Sequence, residues 1–135
     1  MKCILAMWLC LVLFMVFSNC KEQRLVNQPA QSRTSPTGLW EGSMDLGAQI
    51  SLDLVEKNEG DIEGTILLRN RAETDTFQIL SGKRTVNDSI QIGGSSRIGR
   101  LTLQALLADS VLTGNYFLLI FSPPDEGFWS AHRIK

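Results

Sequence analysis

From Gly38 to the end of the sequence, apolar and polar residues alternate in short runs that are separated by turn residues about every ten positions. A period of two is typical of β-strands with one buried face, because successive side chains point to opposite sides of a sheet. We count eight such runs and no segment after Cys20 with helical spacing over ten residues. The alternation predicts the following inward-facing set: Trp40, Met44, Leu46, Ile50, Leu52, Leu54, Ile62, Ile66, Leu68, Phe77, Ile79, Ile90, Ile92, Leu101, Leu103, Leu112, Tyr116, Leu118 and Trp129.

The connections between these runs are too short for crossover helices, which favours antiparallel hairpins. Lys57–Gly60 is predicted to be a turn, and Gly93–Ser96 and Ser122–Gly127 are predicted to be loops. A meander of eight strands tends to close, because closure removes both exposed edges. We therefore predict an all-β, eight-stranded, antiparallel up-and-down closed barrel over residues 38–135. Gly64 and Gly114 are expected inside it, where they let their strands coil.

The first twenty residues do not alternate but contain one nearly continuous apolar run. Lys2 precedes an apolar run from Ile4 to Phe17, and Ser18-Asn19 then leads into Cys20. This layout is typical of a secretory signal peptide, here residues 1–19. The apolar run is about fourteen residues long, short of the roughly 20 that a membrane-spanning helix needs.

A cysteine at the cleavage point resembles the lipobox of bacterial lipoproteins, with Phe17 and Asn19 standing where Leu and Gly or Ala are preferred. The resemblance implies that Cys20 is acylated, with palmitate or a similar chain, and that its partner is a lipid membrane. In enteric bacteria, an Asp directly after the acylated cysteine retains a lipoprotein at the inner membrane. Lys21 stands at that position here, so by analogy we expect this protein in the outer membrane. The alternative is an ordinary signal peptide cut near Ser18, which leaves Cys20 as an unmodified thiol.

Residues 20–37 are predicted to be the lipidated cysteine and a flexible tether, because Gln, Ser, Thr and Pro bury too little surface to offset ordering entropy. The other two cysteines, Cys3 and Cys10, lie in the predicted signal peptide, so we expect no disulfide in the mature protein. The formal charge is −1, and without a basic surplus we expect no nucleic-acid partner.

Catalytic and metal chemistry find little support in the sequence. Its single histidine, His132, stands on an alternating strand beside Ser130, and no Gly-x-Ser-x-Gly motif is present. A zinc site takes three or four ligands. We therefore expect that the protein is not an enzyme and that it binds no metal and no cofactor.

Gly38-Leu39-Trp40 opens the first strand and Arg133 lies near the end of the last, an arrangement that resembles the calycin barrels, the lipocalins and avidins. The resemblance implies that Trp40 packs beneath the barrel against Arg133 and that the barrel binds a small apolar ligand. Lipocalins are usually longer and end with a helix, so the chain is more similar to short calycin-like barrels of bacterial lipoproteins. The candidate ligand-binding residues are Tyr116 and Trp129 at the open end, together with Trp40 and Arg133. The bulky inward set predicts a packed core with a shallow apolar mouth.

Alternation fails in the seventh strand, where residues 116–121 are all apolar. Phe117, Leu119 and Phe121, with Leu106 and Phe128, are predicted to form an apolar patch on the outer wall. Either Leu25-Val26 of the tether or a loop covers this patch, or it binds a partner.

The sequence therefore leaves two candidate functions: a lipoprotein that carries or senses a small apolar ligand, and an interaction or inhibitor lipoprotein. The latter would present the patch or the loops 93–100 and 123–127.

Overall fold

Eight antiparallel strands, each hydrogen-bonded to the next along the chain, make up the barrel. The computed structural model describes residues 34–71, 73–120 and 122–135. The predicted signal peptide, Cys20 and the tether as far as residue 33 lie outside the described residues. The strands are β1 (Gly38–Met44), β2 (Gln49–Glu56), β3 (Ile62–Asn70), β4 (Glu73–Arg84), β5 (Ser89–Ser95), β6 (Arg100–Ala108), β7 (Val111–Leu119) and β8 (Asp125–Arg133).

The barrel closes because β8 pairs with β1, with Trp40 opposite Arg133 and Met44 opposite Trp129. Each of the eight described strands therefore has a partner on both sides, which removes the exposed edges that invite association with other chains. The predicted all-β, eight-stranded, up-and-down closed barrel is confirmed. The turn predicted at Lys57–Gly60 is also confirmed: Asn58–Gly60 forms one turn of 3-10 helix, and Gly60 has a φ of 80°.

The two ends of the barrel differ in the connections that they carry. The end that we call the mouth carries the β1–β2, β3–β4, β5–β6 and β7–β8 connections. The end that we call the closed end carries the other three connections, the C-terminal residues, and the strap, which we define as Ser35–Thr37. The first strand of the barrel begins at Gly38, as predicted, but the strap before it contacts the barrel directly.

The core fills the inside of the barrel and follows the predicted alternation. Every residue of the predicted inward set is buried except Leu46 and Ile79, which are half-buried and pack against the core. Among the residues that the structure describes, four further buried apolar residues were not in the predicted set: Ala48, Ala105, Leu107 and Ala131. Three of them are alanines, whose small side chains give too weak an apolar signal to mark a strand face.

Gly64 and Gly114 lie at inward positions in mid-strand, as predicted. A Cβ built on either glycine would stand 1.8 Å from a backbone carbonyl oxygen of the neighbouring strand, Asp53 O or Gln104 O. The strands approach each other this closely only because no side chain is present, so these positions allow the barrel to coil.

Three predicted boundaries are wrong. Gly93, Gly94 and Ser95 belong to β5 and not to a loop, because the inward phase of Ile90 and Ile92 continues to Gly94, which is buried. The β5–β6 loop is therefore residues 96–99. The seventh strand ends at Leu119, although its apolar run predicted a strand to residue 121. The eighth begins at Asp125, inside the predicted loop Ser122–Gly127, instead of at Phe128.

Candidate ligand site at the barrel mouth

A cavity of about 610 Å³ opens at the mouth, above the packed core. Its volume lies within the range of roughly 300–1,000 Å³ that is usual for small-molecule sites. The apolar residues that line it come from β3, β7 and three of the four mouth connections: Leu46, Ala48, Leu68, Ile98, Leu118 and Ile120. Burial of an apolar body against these side chains would stabilise a complex by roughly 25 cal/mol per Å² removed from water.

The polar lining of the cavity is mostly acidic. Asp75 on β4 is paired with Leu68, and Asp125 on β8 is paired with Leu118, and both leucines are buried inside the barrel. Because paired residues of antiparallel strands point to the same face, both carboxylates belong to the inward-facing register at the rim. Glu73 adds a third carboxylate, and Arg71 is the cation among the lining residues.

Asp45 lies in the β1–β2 connection, next to the end of the β1–β8 pair. Its carboxylate accepts two hydrogen bonds. The Phe128 amide donates to Asp45 Oδ2 at 2.8 Å, and Tyr116 Oη donates to Asp45 Oδ1 at 3.0 Å. The carboxylate occupies the space that a side chain at Gly127 would need. Thus the absence of a side chain at Gly127 allows Asp45 to reach Tyr116.

These contacts fix the ionisation of both groups. The hydrogen bond from the Phe128 amide holds the pKa of Asp45 below its ordinary value, with Tyr116 contributing in the same direction and burial opposing it. Burial, and then the hydrogen bond to Asp45, raise the pKa of Tyr116 above its ordinary value. Tyr116 is therefore a neutral hydrogen-bond donor at physiological pH, and its Oη also lies 3.5 Å from Asp125 Oδ2.

Trp129 lies deeper in the barrel than the cavity and does not line it. It is paired with Gly114, and its Nε1 donates to the carbonyl oxygens of Asn115 at 3.1 Å and Gln104 at 3.3 Å. The buried indole has found partners for its one polar group, as buried tryptophans usually do. Its contacts join β8 to β6 and β7.

Trp40 and Arg133 lie together at the closed end. The Arg133 guanidinium is 4.7 Å from the centroid of the Trp40 ring, so the predicted packing of this pair is confirmed. Trp40 is fully buried, and its Nε1 donates to Pro36 O at 2.8 Å. Arg133 Nη2 donates to Ser35 O. Each side chain thus holds one carbonyl of the strap.

Ion pairs reinforce the closed end. Arg84, whose side chain is 7% exposed, contacts Glu56 at 3.2 Å and Asp88 at 2.6 Å. Burial would lower the pKa of Arg84, but Asp88 and Glu56 outweigh it, so the pKa is raised. Glu56 also accepts a hydrogen bond from Ser35 Oγ at 2.8 Å, which ties the strap to this pair.

The four predicted ligand-binding residues therefore do not form one site. Tyr116 does not line the mouth cavity but contacts Asp125, which does. Trp129 lies beneath the cavity. Trp40 and Arg133 lie at the opposite end of the barrel. Cys20, the predicted lipidation site, lies outside the described residues.

Sequence reasoning missed the acidic rim. By alternation, Asp45 follows the inward Met44 and takes an outward strand position, Asp125 falls in the predicted loop Ser122–Gly127, and Asp75 was not singled out. A usable signal was present, because extending the period of Phe77 and Ile79 backwards places Asp75 and Glu73 on the inward face. No local pattern marks the turn that carries Asp45 to Tyr116.

On the outer wall, Phe117, Leu119 and Phe128 are exposed, by 42%, 45% and 70% of their surfaces. Phe117 is flanked by Thr102 and Glu126 in the register, so polar residues interrupt the apolar surface. Leu106 is exposed as well, but Thr113 opposite it separates it from Phe117 on β7. The side chain of Phe121 lies outside the described residues.

His132 is exposed on the outer face of β8, opposite Glu41 and Val111. Within residues 34–71, 73–120 and 122–135, no three His, Cys, Asp or Glu residues are grouped so that they could hold a metal ion. The described residues also contain no helix that is long and apolar enough to cross a membrane.

No protein-family model and no curated protein matches this sequence. The closed antiparallel barrel of eight strands and the Trp40–Arg133 pair are features of shape and packing. They make the domain consistent with a lipocalin- or calycin-like fold.

Proposed function

We propose that this chain is a lipid-anchored, non-enzymatic protein of the bacterial cell envelope whose barrel binds a small apolar ligand, as a carrier or sensor. The observation that carries the ligand proposal is the mouth cavity, which has an apolar wall and a volume of about 610 Å³. The anchor proposal is supported by the sequence from Lys2 to Cys20, with acyl chains on Cys20 and the outer membrane as the location.

A matched pair of substitutions tests the ligand site. Ile98, in the β5–β6 loop, lines the cavity, whereas Val86 is an exposed β-branched residue in a turn at the closed end. Ile98→Gln should weaken binding of the fluorescent probe N-phenyl-1-naphthylamine about fivefold, the equivalent of roughly 1 kcal/mol of lost apolar contact. Val86→Gln should leave the affinity unchanged in the same fluorescence titration.

The two variants together decide the location of the site. Equal affinities of wild type, I98Q and V86Q would place the probe elsewhere and contradict the proposal. Organic extraction of the purified protein, followed by mass spectrometry, then identifies any apolar compound that copurifies.

The anchor is tested separately by metabolic labelling with radioactive palmitate. Cys20→Ala should abolish the label and release the protein from the membrane fraction. Cys10→Ala, which changes a cysteine inside the predicted signal peptide, should retain both. Unlabelled wild-type protein would instead support an ordinary signal peptide cut near Ser18.

Binding of a protein partner is the second candidate function, favoured by the exposure of Phe117, Leu119 and Phe128 on the outer wall. A Phe117→Ser/Phe128→Ser double variant should then lose self-association or partner binding in sedimentation and pull-down experiments, while probe binding persists. Unchanged association in both experiments would remove this candidate.

A further inference from the structure

The charge distribution around the mouth cavity narrows the chemistry of its ligand. Three carboxylates, on Glu73, Asp75 and Asp125, line the cavity with one cation, Arg71. Asp45 adds a fourth negative charge next to Asp125, because Tyr116 Oη contacts both carboxylates. The rim is therefore net negative, although the whole chain carries a formal charge of only −1.

Arg71 lines the same cavity, but the ion pairs among the described residues do not include Glu73, Asp75 or Asp125. The ion pairs among the residues that the structure describes join Lys57 to Glu63, Lys83 to Asp61, and Arg84 to Glu56 and Asp88, all at or near the closed end. Asp75 and Asp125, which belong to the inward-facing register beside an apolar wall, are not members of these pairs. A cation bound there would gain charge-assisted hydrogen bonds. Those to Asp75, which is half-buried, would compete less with water than those to Asp125, which is exposed.

We propose that the ligand of the mouth cavity is a small molecule with an apolar body and a cationic amine, the body lying against the apolar wall and the ammonium group lying among Asp75, Asp125 and their acidic neighbours. This inference rests on the proposed ligand-binding function and specifies its ligand class. A molecule with a carboxylate in the same place would meet like charges and would be rejected.

Three probes with one apolar body separate the effect of charge from the effect of burial. We would titrate 1-adamantanamine, 1-adamantanol and adamantane-1-carboxylate into the purified full chain by isothermal calorimetry, subtracting a detergent-only blank. The amine should bind at least tenfold more tightly than the alcohol, and the carboxylate should bind most weakly. Raising the salt concentration should weaken binding of the amine and leave the alcohol nearly unchanged.

Substitutions then assign the effect to the rim. Asp75→Asn and Asp125→Asn should each weaken binding of the amine about three- to tenfold while binding of the alcohol stays constant. Asp53→Asn removes the same charge from the exposed outer face of β2 and should change neither.

The possible results are distinct. Equal affinities for all three probes, or tightest binding of the carboxylate, would overturn the amine inference while leaving an apolar ligand site in place. An unchanged affinity for the amine in both D75N and D125N would also overturn it. If none of the three probes binds, both the amine inference and the proposed function fail.

Discussion

Asp45 shows how one residue can gain a role that its local sequence does not indicate. Its position after the inward Met44 suggests an outward, solvated carboxylate. In the barrel it bridges the Phe128 amide and the Tyr116 hydroxyl, in the space left by Gly127. All three partners are distant from Asp45 along the chain, so only the closed sheet brings them together.

Acid should remove the contribution of Asp45 to stability. Because the folded protein holds the pKa of Asp45 below the ordinary value of 3.8, its ionised form stabilises the fold above that value, and this contribution is lost as the pH falls through the folded pKa. The melting temperature of the wild type, followed by circular dichroism, should therefore fall more steeply below about pH 4 than that of Asp45→Asn.

At neutral pH, Asp45→Asn should melt at a lower temperature than the wild type, since an amide cannot accept both hydrogen bonds through its two terminal atoms. Asp53→Asn serves as the control for losing one negative charge. Parallel acid profiles of wild type and D45N would show that the Asp45 contacts contribute nothing to the fold.

At the scale of the strand, alternation predicts most of the barrel. The strands β2, β3 and β6 carry large apolar residues at most of their inward positions, and their signal is strong. The β5 strand was predicted too short because its inward residue after Ile92 is Gly94, and glycine is as typical of loops as of crowded barrel interiors.

β4 was the least visible strand in the sequence. Only Phe77 and Ile79 marked it, whereas the strand spans Glu73–Arg84 with a register shift between Ile79 and Ser81. The bulge changes the phase of the alternation. The first inward residues of β4, Glu73 and Asp75, are the polar residues of the rim. The apolar pattern therefore did not reveal the part of β4 that bears on function.

Gly114 offers a direct test of how closely β6 and β7 approach. Gly114→Ala would place a Cβ 1.8 Å from Gln104 O, which is backbone and cannot move aside. We expect a loss of more than about 3 kcal/mol in the free energy of unfolding, at or above the upper end of ordinary overpacking.

Gly47→Ala is the matched control for Gly114→Ala. Gly47 has a φ of 85° but nothing within 4 Å of the added Cβ, so only the backbone strain remains, about 1–2 kcal/mol. Urea denaturation should rank G114A as the less stable variant. The reverse order would mean that strand coiling at Gly114 is not required.

At the scale of the whole barrel, the contacts of the described residues differ between the two ends. The contact of Arg133 with the Trp40 ring, the strap carbonyls and the part-buried ion pairs of Arg84 lie at the closed end. An apolar cavity with acidic residues occupies the mouth. The sequence predicted the Trp40–Arg133 pair through its resemblance to calycins. It did not predict the strap, whose contribution comes largely from backbone carbonyls that no side-chain pattern reveals.

Arg133 connects the strap, β1 and β8, so its loss should weaken closure of the barrel. Arg133→Met removes the contact with the Trp40 ring and the hydrogen bond to Ser35 O, and should lower the free energy of unfolding by about 2–3 kcal/mol. Arg69→Met, at an exposed position of β3, should change it by less than about 0.5 kcal/mol. Similar urea midpoints for the two variants would contradict a structural role for Arg133.

The strap has a mechanical consequence. Tension applied to the polypeptide ahead of Thr34 would pass through the Ser35 and Pro36 carbonyls into Arg133 and Trp40, and so into the seam between the first and last strands. The rim around the cavity lies at the other pole, away from these contacts. The barrel can therefore be held by one pole while the other stays accessible to solvent.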